Sequence, residues 1–206
     1  MLPEIWKPNV TVLFVGTVVA ELSDRLGFYY LHPRNRFWEM LVVGGITPKQ
    51  IITVKEAKAL AEGHAGGSLT DPVKAMFIEK KTEQLLRDGI GLTDLNRRVV
   101  VSSDKDKLAK PTEEDIRAFI GKVEELTPRV LAFVTSIDIF VDSFKKHYQG
   151  VTGTLGLQPF TIGNSEVWLL GSTSGLLRGE ALTRQEDAFF ALGERIQALG
   201  GMMGER

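Results

Sequence analysis

Three short apolar runs, near residues 11–16, 130–135 and 166–171, constrain the fold most because they are continuous rather than alternating. A strand with one face in water alternates apolar and polar residues, whereas Val12-Leu13-Phe14-Val15 has no polar face to offer. Each run therefore reads as a strand buried on both sides. A shorter run near 90–95 makes a fourth. Between them lie longer stretches with helical character, at 35–44, 54–62, 72–87, 113–126, 136–147 and 184–198. In the stretch from 136, Ile137, Phe140, Val141 and Phe144 share one stripe, spaced for burial against a sheet. This alternation predicts an α/β fold, a three-layer αβα sandwich around a central, mainly parallel four-stranded sheet. Residues 63–70 and 102–111 read as loops, and Thr112-Glu113-Glu114-Asp115 as a helix start with carboxylates at the positive end of the dipole. No repeat or linker divides the 206 residues, so one domain is expected.

Ligands of open parallel sheets settle beyond the carboxyl ends of the strands, and three informative loops are expected there: 16–30, 93–98 and 171–179. The first leads into Gly27-Phe28-Tyr29-Tyr30-Leu31-His32-Pro33-Arg34-Asn35-Arg36-Phe37-Trp38, which joins aromatic faces to cations. Stacking an unpaired nucleobase on such a face contributes about 1–3 kcal/mol, and neighbouring arginines suit its phosphates. Phe37 and Trp38 are expected in the core, with helical spacing to Leu41 and Val42.

Charge gives no global sign of a nucleic-acid partner, because 25 basic residues face 26 acidic ones for a net −1. Affinity for DNA would have to come from local placement, with Arg34 and Arg36, Arg97 and Arg98, Lys145 and Lys146, and Arg178 as the basic candidates. The chain has no cysteine, which excludes disulfides and cysteine-ligated iron–sulfur clusters. Its three histidines, at 32, 64 and 147, lack metal-ligand spacing, so neither metal nor cofactor is expected. Val10–Ala20 is too short to cross a bilayer and reads as a buried strand. A cytoplasmic monomer without membrane contact is expected, and the Asn9-Val10-Thr11 sequon reads as a chance match.

Three blocks in order carry a family resemblance. Thr11–Gly16 precedes His32-Pro33-Arg34-Asn35-Arg36-Phe37-Trp38; Gly89-Ile90-Gly91-Leu92-Thr93-Asp94 follows; Thr161–Gly163 and Val167–Leu170 then run into Gly171–Arg178. Together they resemble the uracil-DNA glycosylase superfamily, closest to its mismatch-specific, thymine-DNA-glycosylase-like branch. The fit is weaker over about 51–88, part of which reads as an insertion. The resemblance implies removal of uracil from DNA by base flipping and hydrolysis of the N-glycosidic bond, leaving an abasic site. It places base binding at Gly16, Thr17, Val18, Ser23, Phe28, Tyr29, Tyr30, Asn35 and Ser172, with Tyr30 as the stacking residue. It places DNA contact at Ser174, Gly175, Leu176, Leu177 and Arg178, with Leu176 filling the gap left by the flipped base.

The chain also departs from the family pattern. Val18 stands where the family carries its water-positioning Asn, Val19 and Ala20 replace Pro and Gly, and Ser172-Thr173 replaces Asn-Pro or His-Pro. An isopropyl group neither orients nor deprotonates water. The remaining polar candidates for that task are Glu21, Asp24, Thr93 and Asp94, with Asp94 preferred because its block is otherwise intact. A structural role for Asp94, capping the loop that follows, is the plain alternative. Two principal functions stay open at this point: a monofunctional glycosylase, and a protein that binds uracil or abasic DNA without cutting. A nucleotide- or sugar-phosphate-binding domain unrelated to repair is a third.

Overall fold

The computed structural model describes residues 1–62, 72–102 and 107–200. The loop expected at 63–70, residues 103–106 of the loop expected at 102–111, and His64 lie outside the described residues. Five strands form one sheet: β1 (Val12–Ala20), β2 (Ile90–Val101), β3 (Val130–Phe133), β4 (Gly156–Ile162) and β5 (Ser165–Leu169), in the order β2-β1-β3-β5-β4. Every neighbouring pair is parallel except β4 with β5. The helices are α1 (Glu21–Leu26), α2 (Phe37–Val43), α3 (Val54–Glu62), α4 (Pro72–Arg87), α5 (Glu113–Leu126), α6 (Ile137–Phe144) and α7 (Glu180–Ala198).

The central strands carry unbroken apolar runs because both faces are covered. Successive side chains point to opposite faces of a sheet, so Val12, Phe14, Val130, Ala132 and Trp168 meet Phe37 and Met40 of α2 and Phe189 and Leu192 of α7. Leu13, Val15, Leu131, Phe133 and Val167 instead meet Ile116 and Phe119 of α5 and Phe140 and Phe144 of α6. This is the expected sandwich with one strand more. The fifth, β4, is an edge strand whose burial alternates and whose ladder is irregular between Leu157 and Thr161, around Pro159. Proline is tolerated at sheet edges because the missing N–H faces away from the ladder.

Boundaries moved in ways that matter for the site. β1 runs to Ala20 and α1 starts at Glu21, so most of the expected loop 16–30 is regular structure. β2 runs to Val101, so the expected loop 93–98 is strand, and Thr93 and Asp94 lie inside it. α6 ends at Phe144 rather than 147, with Ile137 exposed, and α7 begins four residues early. Thr112 and Asp115 form a reciprocal capping box at α5, and Arg98 Nε donates to the same Asp115 carboxylate at 2.7 Å, tying β2 to that helix.

β1 and β2 outrun the other strands. β1 pairs with β3 only as far as Val15↔Phe133, yet with β2 as far as Ala20↔Val101, across an irregularity after Val18. From Gly16 onward, β1 therefore has no strand partner on its β3 side, and a cavity opens there.

Candidate functional site

The cavity has a volume of about 300 Å³ and is walled by the ends of β1 and β2, the first turn of α1, the aromatic segment after it, and the loop after β5. That size is the lower end for small-molecule sites. Of the residues the sequence singled out, it gathers Gly16, Thr17, Val18, Glu21, Ser23, Tyr29, Tyr30, Asn35, Asp94, Ser172 and Ser174.

Register explains the centre of this site. Gly16 lies opposite Asp94 in the parallel ladder, and a Cβ on Gly16 would sit 2.1 Å from Asp94 Oδ1 and 3.2 Å from Tyr30 Oη. The absent side chain is what lets a buried carboxyl and a phenol converge over the strand. Tyr30 adopts a left-handed backbone (φ 54°), uncommon for a non-glycine residue. Its ring stacks on fully buried Phe37 at 3.9 Å between centroids and 25° between planes. Phe37 is thus core, as expected, and also the backing of Tyr30. Tyr29 is buried beside Asp94. Burial first, and then the Asp94 charge, hold its phenol well above the ordinary value, so it stays protonated.

Asn35 contributes a group of fixed orientation. The backbone N–H of Phe37 can only donate, and it meets Asn35 Oδ1 at 2.9 Å; the Thr173 hydroxyl meets the same oxygen at 2.9 Å. Nδ2 makes no hydrogen bond among the described residues, which leaves a donor at the cavity wall. His32 also lines the cavity. Its Nδ1 accepts from the Arg34 N–H at 3.1 Å, so the neutral ring carries its proton on Nε2. Burial and then the Arg34 charge lower its pKa and favour that neutral form.

Val18 belongs to a small apolar cluster with Val101 and Ala109, formed where β1 and β2 run on together. The loop expected from residue 16 is corrected over Gly16–Ala20 accordingly: these residues are extended strand. Thr17 hydrogen-bonds Thr135 through hydroxyls 2.5 Å apart, pinning the end of β1 to the turn after β3.

Several expected site residues lie elsewhere. Thr93, one residue from Asp94, points to the opposite face and donates to Glu4 at 2.6 Å. Glu4 is further held by Arg97 and Lys122. Burial works to raise its pKa, and these partners together with Thr93 lower it more. Asp24 is not part of the cavity lining and pairs with the Met1 amino group at 3.3 Å. Phe28 stacks on Trp38 at 5.8 Å in the core rather than lining the cavity. Gly175, Leu176, Leu177 and Arg178 lie beyond the cavity. Leu176 is 75% exposed, and Arg178 Nη1 donates to the carbonyls of Gly175 and Leu177 at 2.7 and 2.6 Å, bracing the turn.

Most basic candidates are committed to structural pairs: Arg36 with Glu39 and Glu186, Arg97 with Glu4, Arg98 with Asp115, and Lys145 with Asp142. Arg25, Arg34 and Arg178 have no ion-pair partner among the described residues, and Arg25 lines the cavity. Among the described residues no cluster of His, Cys, Asp or Glu could hold a metal ion, and no helix is long and apolar enough to cross a membrane.

A family model, that of the uracil DNA glycosylase superfamily, matches residues 3–192. The chain belongs to that superfamily. A solution NMR structure from Methanosarcina acetivorans, provisionally named a uracil DNA glycosylase, matches with a TM-score of 0.56 at 20% identity, covering 95% of this chain and 96% of that one. At that identity the match shows the shared fold. Membership of the superfamily, which acts on DNA, supports a DNA glycosylase role.

Sequence reasoning passed over His32 as a site residue, although it stands two positions after Tyr30. It also passed over Leu2, Arg25, Ser102 and Thr173. Leu2 carries no local signal. It reaches the cavity because Ile5 bridges to Leu92 and Arg97 donates to the Leu2 carbonyl.

Proposed function

We propose that this protein is a monofunctional uracil-DNA glycosylase, of the mismatch-specific kind its motifs resemble, in which Asp94 takes over the positioning of water. The observation that carries this reading is the convergence of Asp94 and Tyr30 over Gly16 inside the cavity. Breaking the bond between deoxyribose and uracil leaves positive charge on the sugar and negative charge on the base. A catalyst therefore needs an acceptor on the sugar side and donors on the base side. Asp94 supplies the acceptor: its carboxylate orients water toward the anomeric carbon, takes up the proton that water loses, and stabilises the sugar cation. Asn35 Nδ2–H and His32 Nε2–H supply donors to the departing base, and Tyr30, backed by Phe37, supplies the stacking face. No lysine lines the cavity among the described residues. The expected product is an abasic site in an unbroken strand.

Removing a positioned general base typically costs about 10²–10⁴-fold in rate. The test is a labelled oligonucleotide carrying one deoxyuridine, incubated with the protein and then treated with alkali. Wild-type protein should give alkali-dependent cleavage, and Asp94→Asn should lower the rate by about that factor while still shifting the oligonucleotide in a gel. Wild-type rates in Asp94→Asn would remove the carboxylate from the mechanism. Val18 in an apolar cluster favours one other reading, a binder of uracil or abasic DNA. An intact strand with a retained gel shift in the wild type would select it.

A further inference from the structure

We infer that Thr173 is a positioning residue that couples the loop after β5 to the base-reading amide of Asn35. The inference rests on the base-binding reading of the cavity.

Three contacts join that loop to the segment around Asn35. The Thr173 hydroxyl donates to Asn35 Oδ1 at 2.9 Å, the Arg36 N–H donates to the Thr173 carbonyl at 2.9 Å, and Gly175 lies so close that a Cβ would sit 2.1 Å from the Arg34 carbonyl oxygen. Gly175 also has φ +77°, so bulk and backbone both demand glycine there. Thr173 is buried, and its hydroxyl finds its acceptor on Asn35 rather than in solvent.

The consequence is chemical. With Phe37 N–H and Thr173 O–H both on Oδ1, turning the amide over would set the Asn35 NH₂ against a backbone donor and leave the hydroxyl without its acceptor. The cavity is therefore offered a donor at this position, which donates to a base carbonyl and repels a base amino group. The same residue carries exposed Leu176 three positions on. Displacement of that loop against DNA pulls on the amide that reads the base. The proline at this position in the pattern the chain otherwise resembles has no hydroxyl for the task.

The test uses Thr173→Val, which removes the hydroxyl at nearly constant volume, Thr173→Ser, which keeps it, Asn35→Ala, and the double variant Asn35→Ala/Thr173→Val. In the free protein, the Asn35 side-chain amide resonances should move in Thr173→Val and return in Thr173→Ser. Unmoved resonances would overturn the coupling whatever the activity. With deoxyuridine and deoxycytidine oligonucleotides, Thr173→Val should lose roughly 5- to 30-fold of its preference for uracil, mainly through KM, and the double variant should match Asn35→Ala alone. Additive losses would overturn the inference. If wild-type protein neither binds nor cleaves uracil DNA, the glycosylase reading falls and base reading with it, while the amide spectrum separately judges the Thr173–Asn35 contact.

Discussion

Gly16→Ala is the sharpest probe of the site, because it adds one methyl group where the carboxyl of Asp94 already stands. The new carbon would lie 2.1 Å from Asp94 Oδ1, which is 0.9 Å inside the 3.0 Å that real Cβ contacts essentially never breach. Gly16 lies in regular strand, so alanine is acceptable to the backbone and the effect is one of space. The Asp94 side chain has to retreat by about 1 Å, and a displacement of that size at a reacting centre costs about 10²-fold in rate. Overpacking of a buried position costs about 1–3 kcal/mol. For a chain of this length that lowers the melting temperature by about 2–12 °C. Single-turnover release of uracil from a duplex and a thermal melt therefore give the discriminating pair: excision falls about a hundredfold in a protein that still unfolds cooperatively within that range. An alanine variant with wild-type excision and a native melt would refute the placement of Asp94 as the reacting group.

Three other outcomes are expected. Phe37→Leu, which takes three ring carbons from a fully buried position, should cost about 1–3 kcal/mol in denaturant unfolding and raise KM for uracil DNA in the folded protein, because Tyr30 loses the ring behind it; an unchanged KM would separate Phe37 from base binding. The Glu4 carboxyl is held below its usual value of 4.5, so its contribution to stability is present above that pH and lost as pH falls through the lower folded value. Melting curves taken from about pH 6 downward should show that loss in the wild type and a flatter profile in Glu4→Gln. Leu176→Ala, at an exposed position, should leave the melt within about 0.5 kcal/mol of wild type and weaken binding to abasic duplex more than to single strand; equal losses on both would argue against a wedge.

How legible each element was in the sequence follows from how it is buried. β1, β3 and β5 announce themselves because their two faces meet two different cores, so Val12–Val15, Val130–Phe133 and Val167–Leu169 are unbroken apolar runs. β4 does not, because it is an edge strand with Gln158 turned inward, Leu157 outward and Pro159 in its middle, a pattern that reads as a loop. Asp94 stood out through its block, and the structure places it in the cavity wall opposite Gly16. Thr93 was misplaced because a loop was expected where β2 continues, and within a strand adjacent residues face opposite ways. Leu2 depends on a bridge between residues far apart in the chain, and no local pattern encodes it.

Val18 bears on how this site could be re-engineered. Its side chain lines the cavity and also packs with Val101 and Ala109 at the junction of β1 and β2, so a lone Val18→Asn replacement would set a carboxamide against an apolar seam. Rebuilding the family's loop there would take the backbone from 18 to 20 out of the sheet, and with it the end of a ladder that now runs to Ala20↔Val101. The departure at Val18 is therefore one of backbone shape as well as of functional group, and a point substitution does not restore a shape.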